Sequence, residues 1–340
     1  MTSLLLQFLP FFALVLLGWV AARTALLPLD GVGALNTFVL FFGLPAMLFR
    51  LGASGALAQS GLGGLLLVYG LAGLTVVGLA LWWAARAGLS RRDGGLMALA
   101  TAFPNTGFLG LPLLTGLLGP TAAGPVAATL VIDVLLLSSL CLAWAHSHAH
   151  QGAKGAVSGA GDDQAEALAA AQASLKGALR NPLLWSVAVG MAFAEAGWHL
   201  PQAADETLRL LGLSATPTAL FTLGAVVARA QMRPAVAAGP ARLSVAAPVL
   251  LKLVVHPWAV MGLGMGVASL GQALPQAGWL TLVMAAALPS ASNVAMLAER
   301  EGAQTAWVAR LILWTTVGAL LTLTLWAQAM GISAATVKRW

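Results

Sequence analysis

The chain is predicted to be an all-α membrane protein of ten transmembrane helices, arranged as two inverted five-helix repeats. Three observations carry this. Of the 340 residues, 59% are hydrophobic and only 8% are charged, a balance no soluble domain of this length needs for its core. Apolar stretches of about 20 residues, each able to cross a hydrocarbon core of about 30 Å as a helix, recur along the chain. Two of these stretches, one in each half, carry the same kind of interruption: Ala102-Phe103-Pro104-Asn105-Thr106-Gly107 and Leu288-Pro289-Ser290-Ala291-Ser292-Asn293.

The first helix is expected at 4–22. No basic residue precedes it and many spans follow, so it reads as a first helix and not a cleaved signal. The second and third are expected at 30–50 and 61–85. The fourth, at 95–118, contains the first interruption, with Pro112 a second disturbance, so its halves are expected at about 96–103 and 109–118. The fifth, at 123–145, carries Asp133 between aliphatic neighbours. Residues 146–179 are rich in Ala, Gly, Gln, Asp and Glu without apolar periodicity, and read as a cytoplasmic linker. Beyond it, helices are expected at 181–198, 206–228, 243–269, 277–299 and 304–329. The eighth holds Lys252, His256 and the small-residue run Gly262-Leu263-Gly264-Met265-Gly266, suited to close helix contact. The ninth holds the second interruption, and the tenth holds Arg310, placed to snorkel at its cytoplasmic start.

Splitting the chain at the linker leaves residues 1–145 and 180–340 with five helices each. An odd number of spans per half makes the second copy enter the membrane in the opposite sense. Both interruptions then fall in the fourth helix of their repeat, which makes Asn105 and Asn293 symmetry mates. Sorting the cations by loop gives the orientation. Arg23, Arg86, Arg91, Arg92, Lys154, Lys176, Arg180, Arg229, Arg233, Arg242 and Arg300 fall on one side, against Arg50, Arg209, Lys338 and Arg339 on the other. Eleven against four puts the first side in the cytoplasm and both termini outside it. The net charge of +6 therefore reports orientation and not a nucleic-acid partner.

A proline inside a membrane helix removes a backbone donor and frees a carbonyl, while nearby Asn, Ser and Gly let the chain unwind and offer polar groups at mid-membrane depth. Half-helix N-termini favour a carboxylate, and freed carbonyls suit a cation. Matched breaks in two repeats point to a transporter's binding site, with Pro104, Asn105, Thr106, Gly107, Pro289, Ser290, Ser292 and Asn293 as substrate-binding candidates. The competing reading is two ordinary kinks. Asp133, Lys252 and Arg310 are the formal charges well inside predicted spans, and a charge at the bilayer centre costs about 2.5–3.5 kcal/mol. Asp133 is suited to take up and release a proton, or to make a structural hydrogen bond. Lys252 suits pairing with Asp133 or with an anionic substrate, and the same contact is also readable as a purely structural ion pair. His256 lies one turn further on the same face, where histidines mostly serve helix packing.

The remaining signals are weaker. His146, His148 and His150 alternate at a helix end, but no Cys or clustered carboxylate completes a metal site. Cys141 is the single cysteine and has no internal disulfide partner. No Gly-Lys-Ser/Thr phosphate loop is present, so ATP is not the direct energy source, and no cofactor is expected. No nucleophile and base pair stands at usable spacing for an enzyme.

Several segments carry a family likeness: Leu35-Asn36-Thr37-Phe38-Val39-Leu40-Phe41-Phe42-Gly43-Leu44-Pro45-Ala46, Pro104-Asn105-Thr106-Gly107-Phe108-Leu109-Gly110-Leu111-Pro112-Leu113, Asn181-Pro182-Leu183, Leu251-Lys252-Leu253-Val254-Val255-His256-Pro257 and Leu288-Pro289-Ser290-Ala291-Ser292-Asn293. In these the chain resembles the auxin efflux carrier family, which includes plant auxin transporters and bacterial carriers of malonate and related organic acids. The resemblance implies a sodium/proton-antiporter-like fold with crossed, broken helices four and nine. It also implies a scaffold of helices one, two, six and seven, a moving domain of the rest, a homodimer and an elevator-like cycle. The short Ala-rich linker departs from the long hydrophilic loop of many plant members.

The function expected is a secondary transporter of a small organic anion, a mono- or dicarboxylate, in the inner membrane, with a proton as the first choice of coupling ion. A sodium- or cation-coupled carrier on the same fold and a solute sensor that binds without transport are the alternatives.

Overall fold

The computed structural model describes residues 2–55, 62–146, 182–232, 244–271 and 274–332. Among these residues every regular element is a helix, and no named strand forms. In chain order they are α1 (Thr2–Arg23), α2 (Gly31–Ala53), α3 (Leu62–Arg86), α4 (Arg91–Ala102), α5 (Thr106–Leu118) and α6 (Ala123–His146). The second half continues with α7 (Pro182–Glu195), α8 (Gln202–Met232), α9 (Ala246–Ser269), α10 (Gln276–Ala286), α11 (Asn293–Arg300) and α12 (Thr305–Ala329). Six of these, α2, α3, α6, α8, α9 and α12, are long and apolar enough to cross a membrane. The protein is a multi-pass membrane protein. Most of the expected linker, 147–179, and the last residues, 333–340, lie outside the described residues.

Two of the expected helices are each replaced by a pair. The span expected at 95–118 is α4 and α5, and that expected at 277–299 is α10 and α11. α4 starts four residues before the expected 95, because Ser90 caps it: the Asp93 amide donates to Ser90 Oγ at 3.1 Å, which adds a polar first turn ahead of the apolar run. α8 extends beyond the expected 206–228 at both ends and runs through Pro217.

Four helices contain a π turn, at Val39–Gly43, Thr106–Gly110, Asp133–Leu137 and Leu251–Val255. The extra residue in such a turn disturbs the bonding of nearby carbonyls, and inside a membrane these need another donor. Side chains supply it in two cases. Ser138 Oγ donates to the Asp133 carbonyl at 2.9 Å, and Trp326 Nε1 donates to the Leu253 carbonyl at 3.1 Å.

The helices pack in two groups. α1 lies along α8, and α2 lies along α7 and α8. In the other group α3 packs on α4, α6 and α9, α10 packs on α6 and α9, and α11 packs on α4 and α12. Glycines allow the tightest crossing of the first group: a Cβ at Gly224 would collide with the Val15 carbonyl, and one at Gly18 with the Phe221 carbonyl. α1 and α8 therefore touch backbone to backbone, which is how helices gain van der Waals contact where lipid removes the hydrophobic drive to associate.

Candidate functional site

Pro104 has no amide hydrogen to continue the α4 ladder, and its ring drives the residue before it out of helical conformation. Phe103 is accordingly extended, at φ −85° and ψ 107°. The same chemistry acts at Pro289: α10 ends at Ala286, and α11 begins only at Asn293.

The two breaks meet. Pro104 and Ser290 form an isolated antiparallel bridge. The Asn105 amide donates to the Pro289 carbonyl at 2.7 Å, and the Ala291 amide donates to the Phe103 carbonyl at 3.0 Å. The Ser290 amide donates to Thr315 Oγ1 on α12 at 3.2 Å. Backbone groups left open at each break are thus satisfied by the other break and by a neighbouring helix, the arrangement that lets irregular backbone exist deep in an apolar bundle. The fit is close: a Cβ at Gly110 would lie 2.5 Å from Leu288 Cδ1.

Asn105, Thr106, Ser290 and Ser292 are all buried, and Asn293 is partly buried. Pro104, Asn105, Gly107 and Asn293 line a cavity of about 620 Å³, whereas Thr106, Pro289, Ser290 and Ser292 stand off its wall. One side of the cavity is Leu40, Phe41 and Leu44 of α2 with Pro182 and Leu183 of α7; the other belongs to α4, α5, α6 and α11. The space therefore lies between the two packing groups, and it extends to His146, Arg300 and Glu301. His146 Nε2 and Glu301 Oε2 are 2.7 Å apart, while His148 and His150 fall outside the described residues. Three polar side-chain atoms at the crossing have no hydrogen-bond partner among the described residues: Asn105 Nδ2, Ser290 Oγ and Asn293 Oδ1. Buried polar groups are nearly always paired, so three orphans around one crossing suit a polar solute.

Behind the crossing lies a second buried cluster. Asp133, Lys252 and His256 are each 0% exposed. Asp133 accepts from Tyr69 Oη at 3.0 Å on one oxygen and 3.3 Å on the other, and from Thr106 Oγ1 at 3.4 Å. Lys252 Nζ donates to the Ala286 carbonyl at 2.9 Å and stands 3.2 Å from His256 Nδ1. The Asp133 and Lys252 charges interact electrostatically, yet they form no direct ion pair. Thr106, one of the substrate-binding candidates, turns its hydroxyl toward this cluster and joins it to the crossing.

Two members of the site were not among the sequence candidates. Tyr69 carried a readable signal, since it is the chain's single tyrosine and sits in an otherwise apolar span. Thr315 carried none. Threonines in membrane helices commonly bond their own preceding turn, as Thr315 also does at the Leu311 carbonyl, 2.9 Å away.

A bundle of apolar helices in which two broken helices cross beside a cavity is the build of a membrane transporter. The chain belongs to the membrane transport protein family, the auxin efflux carrier family, which it matches over residues 3–327. It is 29% identical to a Rhizobium meliloti protein described as "Putative malonate transporter", over 93% of this chain and 92% of that protein. It is 26% identical to an "Uncharacterized transporter" of Methanothermobacter thermautotrophicus, over 93% of this chain and 95% of that protein.

Proposed function

We propose that this protein is a secondary carrier of a small organic anion, a mono- or dicarboxylate, which it binds at the crossing of the two broken helices. The observation that carries the reading is the trio of unpartnered polar atoms, Asn105 Nδ2, Ser290 Oγ and Asn293 Oδ1, gathered from both halves of the chain. Asn105 Nδ2 and the Ser290 hydroxyl can donate to a carboxylate, whereas Asn293 Oδ1 only accepts and suits a protonated acid group or a hydroxyl of the solute; α5 and α11 begin at the crossing, so their positive dipole ends lie nearby. Asn105 and Asn293 bind the anion, Pro104, Gly107, Pro289 and Ser292 shape the break, and Thr106 links it to Asp133. The malonate named in the description of the Rhizobium relative is a dicarboxylate, which supports the substrate class.

Motion follows the boundary between the packing groups. The group α1, α2, α7 and α8 acts as the scaffold, and the remaining helices carry the crossing past it in an elevator-like cycle in the inner membrane. The position of the cavity between the groups supports this. The inverted repeat is supported by a matched detail: glycines crowd α1 against α8, and Gly190 and Gly52 crowd α7 against α2 in the corresponding pair.

Charge balance comes from Asp133, Lys252 and His256, with a proton as the coupling ion. The competing sodium-coupled reading needs freed carbonyls for the metal. The Ala286 carbonyl, at the end of α10, is already taken by the Lys252 ammonium, which favours the proton.

Purified protein in lipid vesicles tests the whole reading. Radiolabelled malonate and a panel of monocarboxylates are offered, and flux is followed. Flux of at least one carboxylate, lost in Asn105→Ala and Asn293→Ala, is expected. Tight binding without flux would make the protein a sensor, and flux untouched by both substitutions would remove the crossing as the site.

A further inference from the structure

Asp133 and the crossing are joined by one long hydrogen bond, from Thr106 Oγ1 at 3.4 Å. A carboxylate free to rotate about its side-chain bonds would not keep that contact. What fixes it is Tyr69. The hydroxyl reaches both carboxylate oxygens, at 3.0 and 3.3 Å, so it restrains the plane of the group and not merely one atom. The residue itself is 0% exposed, and its ring lies 5.7 Å from the His256 ring at 37°. Helix packing brings it there. Gly70, next to Tyr69, and Gly73, one turn along, face α6, and a Cβ at Gly73 would come within 2.8 Å of Leu137, so the small residues let α3 approach the π turn that begins at Asp133. From α9, Lys252 acts on Asp133 electrostatically and touches His256, so the tyrosine is bounded by the acid on one side and the base pair on the other.

We propose that Tyr69 is the positioning residue that ties Asp133 to the crossing: by holding both carboxylate oxygens it keeps one of them on Thr106, so a change at Asp133 is felt at the first turn of α5 and at the adjacent Asn105. The consequence for transport rests on the carrier reading above. The tie itself does not, and it is measurable without flux.

Because the chain has a single tyrosine, uniform labelling with 3-fluorotyrosine gives one ¹⁹F resonance from the full-length protein in detergent or lipid. Asp133→Asn and Thr106→Val are each expected to move that resonance. In vesicles, Tyr69→Phe lowers the maximal carboxylate flux about tenfold, the scale of a hydrogen bond to a charged group, with the Michaelis constant nearly unchanged. Tyr69→Phe combined with Thr106→Val then loses no more than the worse single variant, because both break the same chain of contacts. A resonance unmoved by either substitution overturns the proposal, as do losses that multiply in the double variant. If Tyr69→Phe does not fold, the fluorine experiment decides alone. A resonance that responds to both substitutions in a protein that moves no carboxylate upholds the tie and sinks the carrier reading instead.

Discussion

Replacing Asn105 with alanine separates binding from stability, and the structure sets both magnitudes. Asn105 is 1% exposed, and its Nδ2 has no partner among the described residues. An unpaired buried polar group costs about 1–3 kcal/mol, so truncation relieves a penalty while it gives up the packing of a short side chain. The two nearly cancel. The break itself is held by backbone bonds, from the Asn105 amide to the Pro289 carbonyl and from the Ala291 amide to the Phe103 carbonyl, and these survive the substitution. With no solute present, the thermal midpoint is therefore expected within about 4 °C of the parent, the shift that about 1 kcal/mol produces in a chain of this order of size. Binding behaves differently. A hydrogen bond to a charged carboxylate is worth about 1.5–3 kcal/mol, so affinity falls about 10- to 150-fold. Tryptophan fluorescence, with 12 tryptophans as reporters, follows unfolding with and without carboxylate, and vesicle flux gives the Michaelis constant. An Asn105→Ala protein that melts far below the parent, with flux reduced only in proportion to folded protein, would refute the reasoning; so would an unchanged Michaelis constant.

Thr315→Val leaves the buried Ser290 amide without its acceptor and is expected to lower stability by about 1–3 kcal/mol, whereas Thr315→Ser retains it; equal melting of the two variants would count against the bond. Asp133→Asn and Lys252→Met should lower the midpoint by less in combination than the sum of the two single losses, since the two groups act on each other electrostatically; strictly additive losses would show that they are uncoupled. Replacing sodium with potassium on both sides of the vesicle should leave flux unchanged, because the Lys252 ammonium already holds the Ala286 carbonyl; sodium-dependent flux would reverse the choice of coupling ion. Gly224→Val forces a side chain against the Val15 carbonyl and is expected to abolish the folded monodisperse peak in size-exclusion chromatography, while a change such as Leu16→Ala, at a residue 60% exposed, leaves it intact.

Much of this protein is legible in its sequence, and the reason is local. Hydropathy sums over neighbouring residues, so apolar stretches announce membrane helices, and a proline lacks its amide hydrogen wherever it stands. That is why the breaks at Pro104 and Pro289 were readable, and why the family motifs around them were recognisable. Asp133, Lys252 and His256 stood out because charged and polar groups are costly among aliphatic neighbours. Even the misplaced start of α4 had a local cause, a serine cap on a polar turn that hydropathy reads as loop.

Partnership across the chain was decided elsewhere. Nothing near Pro104 says that its bridge partner is Ser290, or that the Phe103 and Pro289 carbonyls accept from the opposite break. That the Thr106 hydroxyl reaches Asp133 is set by the π turn at Thr106–Gly110 and the approach of α6. Tyr69 and Thr315 joined the site only through the packing of α3 on α6 and of α12 against the second break. The amino-acid sequence by itself determined which backbone groups would lose their helical partners; the tertiary structure alone decided which groups replace them, because in an apolar interior a freed donor or acceptor must be matched by whatever the neighbouring helix brings within about 3 Å.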